Sequence, residues 1–163
     1  MKYRKLHPEE LEALKEDFVQ FLAANSITAP DWVKLRDNDS ETAGKLVEMF
    51  SEIVWEKVLE KVKYLEIRTK NRLAVMQFGD EKAEMVSVGV SDDAFDFTDA
   101  ALMDSLADGK VDWNAWKPEV HTGSKKYNIS RKEEVFYEME RGAKPCKAVQ
   151  WAAVKALVKT EKG

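Results

Sequence analysis

Carboxylates are the commonest groups in this chain that could do chemistry, and three clusters have spacings that a metal or an acid–base pair could use. Asp92, Asp93, Asp96, Asp99 and Asp104 crowd into one stretch. Two of them facing each other across a cleft could serve as acid and base in glycoside hydrolysis, or the cluster could hold a metal for a small metal-dependent enzyme. Aspartate also caps helices and builds turns, and that reading needs no convergence. In Asp37-Asn38-Asp39-Ser40-Glu41 oxygen ligands alternate as at the start of a calcium loop, with Glu48 at the closing position. Thr42 stands where such a loop needs glycine and Gly44 comes two residues late, so the pattern reads as helix capping. Glu48, Glu52, Glu56 and Glu60 line one helical stripe. A carboxylate-bridged metal pair would also want histidine three residues after a glutamate, which this chain lacks, so a solvated face flanked by Lys45, Lys57 and Lys61 is expected. No metal site and no cofactor is expected.

Cys146 and His121 could in principle form a nucleophile and its base. Cys146 is instead in phase with Val149, Ala153 and Leu157, the pattern of a buried structural thiol. Trp113 and Trp116 before Lys117-Pro118 could form an aromatic recognition surface, but read better as core or loop anchors. There is no phosphate-binding glycine loop, dinucleotide fingerprint, nucleophile elbow or zinc-protease helix motif. No residue is therefore assigned a catalytic role.

Charge is segregated. Between Asp80 and Asp112 stand 10 acidic and 2 basic residues, whereas Lys117 to Gly163 carries 11 basic and 6 acidic. On the last helix Lys147, Lys155 and Lys159 fall near one face, and Trp151 stands between the first two at steps of four. Lys147, Trp151, Lys155 and Lys159 are thus the candidate partner-binding residues. Trp151 could anchor in a protein pocket, stack on a base, or pack on the acidic segment of its own domain.

These groups must be held by a mixed scaffold. Pro8, with Glu10 able to reach back to His7, opens a helix with Leu11, Leu14, Phe18 and Leu22 on one face, ending near Asn25-Ser26. Thr28 and Asp31 cap a short turn, and a long helix is expected from about Ser40 to Lys63. Tyr64 to Thr69, Leu73 to Phe78 and Glu84 to Val90 alternate as strands, with turn residues between them. A helix follows from about Thr98 to Leu106. The stretch from Val111 to Tyr127 has no clear period. Ser130 with Glu133 caps a helix that Gly142 can end, and Pro145 can open the last helix. The expected fold class is α+β, helices packed on one face of a small antiparallel three-stranded meander, in a single domain spanning residues 1–163.

Composition agrees with a packed globular chain: 163 residues, 44% hydrophobic and 34% charged, with only 7 Gly and 4 Pro. The single cysteine and the absence of an apolar leader or a membrane-length apolar run point to the cytoplasm, with no membrane partner. Met1-Lys2-Tyr3-Arg4-Lys5-Leu6, Phe21-Leu22-Ala23 followed by Ser26-Ile27-Thr28 and Trp32, and Tyr64-Leu65-Glu66 resemble a family of small bacterial cytosolic proteins that has no assigned function. The resemblance implies a bacterial cytosolic protein and transfers no functional residue. The leading expectation is a non-catalytic protein–protein interaction or adaptor module. Nucleic-acid binding through the basic last helix is second, since the chain is acidic overall at net −4. A small metal-dependent enzyme using the acidic loop is third.

Overall fold

The computed structural model describes the backbone of residues 1–162 and the side chains of residues 1–158. The chain divides into two compact units, Met1–Glu60 and a second beginning at Lys61. The first is helical, with α1 (Pro8–Ala13), α2 (Lys15–Ala24), α3 (Ala29–Asn38) and α4 (Ser40–Lys61). The expected first helix is interrupted at Leu14, whose N–H is shared between the carbonyls of Glu10 and Leu11 at 3.2 Å each, a tightening of the last turn of α1. Glu10 accepts from the His7 N–H at 2.8 Å, and Thr28 and Asp31 cap α3 reciprocally at 3.2 Å, both as their spacing predicts.

The core of this unit is aromatic: the Phe18 ring lies 5.1 Å from both Trp32 and Phe50. The segment before α1 is tied to α4 by three of its side chains. Ser51 accepts from the Leu6 N–H at 2.9 Å while its own hydroxyl donates to the Val47 carbonyl at 2.7 Å. Trp55 Nε1 donates to the Arg4 carbonyl at 3.1 Å, and the Tyr3 hydroxyl donates to Glu56 at 2.9 Å.

The second unit is built on an antiparallel sheet of β1 (Tyr64–Arg68), β2 (Arg72–Phe78), β3 (Lys82–Gly89), β4 (Glu119–Lys126) and β5 (Lys144–Pro145), in the order β4-β3-β2-β1-β5. With it go α5 (Ala100–Ala107), α6 (Trp113–Trp116), α7 (Arg131–Glu140) and α8 (Ala148–Lys162). The register pairs Leu65 with Met76, Val75 with Val86 and Met85 with Gly123. Alternation then sorts the side chains: Leu73, Val75, Val86 and Val88 point to the face where α8 lies, joined by Phe95, Phe97, Met103 and Leu106 in one core. On the opposite face Lys125 reaches Glu134 of α7 at 3.1 Å, and the Arg131 guanidinium donates to the carbonyls of Val62 and Phe78.

The meander expected from residues 64–90 is present, within a larger sheet. The segment from Val111 to Tyr127 supplies β4. Pro145 does not open the last helix: it sits in the two-residue edge strand β5, where its missing N–H costs no ladder bond, and α8 begins at Ala148. Helices lie on both faces of the sheet rather than one, because the central strand is apolar on both sides and each needs cover. Gly142, at φ 109°, ends α7 as expected.

Ser51 is fully buried, so Ser51→Ala would leave the Leu6 N–H without an acceptor away from water. Denaturant unfolding is expected to show a loss of about 1–3 kcal/mol, and Ser51→Thr, which keeps the hydroxyl, a smaller one.

Candidate functional site

Three of the five aspartates after β3 are engaged with nearby backbone. Asp92 accepts from the Ala94 N–H at 2.9 Å, and Asp99 caps α5 through the Ala101 N–H at 3.1 Å. Asp96 accepts from both the N–H and the hydroxyl of Thr98, at 2.9 and 2.6 Å, and the hydroxyl bond above all holds its carboxyl below the usual range. These bonds fold the loop so that Phe95 and Phe97 turn into the core. The calcium-like stretch is no loop at all: α3 ends at Asn38, α4 begins at Ser40, and Asp39 between them accepts from the N–H and hydroxyl of Thr42. Among the described residues no three His, Cys, Asp or Glu side chains converge as metal ligands.

Cys146 and His121 cannot meet. His121 is on β4 and Cys146 directly follows β5, at opposite edges of the five-stranded sheet, roughly 19 Å apart at the ordinary interstrand spacing. The half-buried thiol is pushed up to about 12, first by desolvation and then by the nearby Glu66 carboxylate. Glu66 itself is buried on β1, where it accepts from Gln150 Nε2 at 2.9 Å and pairs with Arg68 at 3.1 Å. Burial raises its pKa, with Arg68, Gln150 and Lys144 pulling the other way.

The four residues grouped on the expected last helix part company, and Lys147 precedes α8. Trp151 is 8% exposed and lies in the core, 6.4 Å from the Tyr64 ring, with the Lys155 ammonium folded over it at 5.5 Å. It therefore presents no free ring to a base or a pocket. Lys147 is exposed and lines an open groove of about 560 Å³ with Asp104 of α5 and Asp108, which caps it, so the basic helix does pack beside the acidic segment. The Lys159 side chain lies outside the described residues. Trp113 and Trp116 pack against Phe95, tilted at 5.6 Å and edge-to-face at 4.9 Å between ring centroids, as anchors of the core.

The sheet also carries a long, exposed edge strand that the sequence pattern does not mark. Every residue of the eight-residue strand β4 except Val120 is exposed. The sheet bonds fix which of its backbone groups are used. Val90 donates to the Asn71 carbonyl and Gly79 to that of Lys82, so the even residues of β3 face β2 and its odd residues face β4. In the β3–β4 register Glu119, His121, Gly123 and Lys125 oppose those odd residues. The N–H and C=O groups of Val120, Thr122, Ser124 and Lys126 consequently point out of the sheet, with no partner among the described residues. The only sequence signal was indirect: a stretch between two helices, without helical period and with a proline before it.

The geometry thus defines an α+β scaffold in which Asp92, Asp96, Asp99 and Glu66 are bonded within the structure and a long sheet edge stands open. The chain belongs to the family described as "Family of unknown function (DUF6495)", whose model matches residues 1–159. No curated protein and no solved structure matches it. No helix among the described residues is long and apolar enough to cross a membrane.

Two outcomes are expected from the Cys146–Glu66 neighbourhood. Alkylation of native Cys146 near pH 8 should run about a hundredfold slower than in denaturant, because the raised thiol is almost wholly protonated. Since Glu66 titrates above its unfolded value, its favourable contribution is full at acid pH and is lost as pH rises through the folded value. Glu66→Gln should accordingly gain on the parent in unfolding free energy between pH 4 and pH 7.

Proposed function

We propose that this protein is a non-catalytic interaction module that works by contact with another polypeptide chain, and that β4 is the contacting element. The observation that carries this reading is the unpaired edge of an eight-residue strand. Exposed edges recruit strands, and proteins normally blunt them. The far edge of this sheet is blunted, by a two-residue strand containing Pro145. The edge at β4 is left long. Lys155, on the helix that lies against β4, is proposed as a secondary contact, with Lys159 further along that helix; Trp151 supports Lys155 from the core, and Lys147, which follows β5 at the far edge, is proposed as a contact on a separate surface. Nucleic-acid association keeps these lysines but has no exposed aromatic platform on α8 to go with them. A bacterial, cytoplasmic setting is part of the same proposal, supported by the lone thiol and by the likeness of the opening residues.

Affinity capture with the tagged full-length chain, after nuclease treatment, tests the reading. A stoichiometric chain should be retained, whether a different protein or an untagged copy. It should be lost with Thr122→Pro and kept with the Lys147→Ala, Lys155→Ala double variant. Retention of nuclease-sensitive material alone, or substrate turnover that disappears on replacing the aspartates after the sheet, would overturn it.

A further inference from the structure

We infer that the strand β4 receives is the β4 of a second copy of this chain, laid antiparallel about a two-fold axis through Thr122. The inference rests on the reading of β4 as a contact surface and adds the identity of the occupant. Its basis is the order of charges along the strand, Glu119-Val120-His121-Thr122-Gly123-Ser124-Lys125-Lys126, acidic at one end and basic at the other. An antiparallel copy brings opposite ends together. A parallel one would set like against like.

The outward backbone groups allow a limited set of registers, since only even residues of one copy can bond even residues of the other. With Thr122 opposite Thr122 of the second copy, Val120 lies opposite Ser124 on either side of the axis, and the three pairs exchange six main-chain hydrogen bonds. Pro118, which has no N–H to give, closes the ladder. In this register Glu119 falls opposite Lys125, twice by symmetry. These odd residues form the non-hydrogen-bonded pairs, whose side chains approach most closely. His121 falls opposite Gly123, where an added Cβ would meet nothing nearer than the Met85 methyl at 3.8 Å, so the imidazole finds room.

Shifting the copies by one register step loses this match. Centring on Gly123 sets His121 against Lys125, and centring on His121 sets the two imidazoles together and leaves Glu119 opposite Gly123. Lys125 already pairs with Glu134 at 3.1 Å and Glu119 lies 3.4 Å from His121. Both side chains are more than half exposed and can take the second partner, an ammonium having three donors. Closed two-fold pairing also uses up both open edges at once, which a one-sided partner would not.

Sedimentation velocity on the full chain over a concentration series tests this. A two-copy species is expected by about 100 μM. Thr122→Pro removes an outward N–H without touching the bonds to β3, and should weaken association at least about tenfold with an unchanged circular dichroism spectrum. Because that variant could disturb the strand, charge reversal is the second arm. Glu119→Lys and Lys125→Glu should each weaken association by about tenfold, and the double variant should recover it. A chain that stays monomeric to about 1 mM, or a dimer indifferent to positions 119, 122 and 125, overturns the inference. A monomer that still loses a captured partner through Thr122→Pro would remove the second copy alone and leave β4 as a contact surface for another protein.

Discussion

The second unit depends on one constraint: its central strand is apolar on both sides. Leu73 and Val75 are fully buried on one face of β2, and Met76 and Phe78 are nearly so on the other. A strand exposes alternate residues to opposite faces, so neither set can be hidden by rolling the sheet. Each face needs its own cover. The amphipathic α8, with Val154, Leu157 and Val158 turned inward, covers one with help from α5 and from Phe95 and Phe97. On the other, α7 is brought across by its first residue, since the Arg131 guanidinium reaches the carbonyls of both Val62 and Phe78. Charge-assisted donation to two carbonyls is among the stronger single ties a fold can use, and here it joins the end of a helix to a strand.

The same constraint explains what becomes of the acidic residues. A sheet covered by chain that must double back over it requires tight, polar turns, and Asp92, Asp96 and Asp99 make them by accepting from backbone N–H groups two residues on. Their bonding is spent on shape. The basic helix then lies beside α5, so that Asp104, Asp108 and Lys147 share one groove. Charge that is segregated along the chain is thus brought side by side at this groove.

Legibility followed burial. The helix caps at His7, Thr28 and Ser130 and the three meander strands were readable because a capping side chain or an alternating apolar face leaves a local pattern. Pro145 was misplaced because its missing N–H suits two sites equally, the first turn of a helix and the open side of an edge strand. Trp151 was ambiguous for a related reason. Steps of four align it with Lys147 and Lys155, but steps of three and seven align it with Val154 and Val158, and only packing decides between rows that share a residue. Of the four residues grouped on the expected last helix, the sequence could name the lysines as surface but could not see that the indole beneath Lys155 was core.

β4 escaped notice because no residue of it but Val120 is even partly buried, so neither face carries an apolar alternation. That polarity is also what makes a long edge tolerable. A flat, apolar edge strand of this length would add strands indiscriminately and grow into fibres. Thr122 and Ser124 turn their backbone groups outward and add little apolar area, while Glu119 and the two lysines make the strand acidic at one end and basic at the other. The same polar composition that keeps this edge from adding strands indiscriminately is what hid it from the sequence pattern.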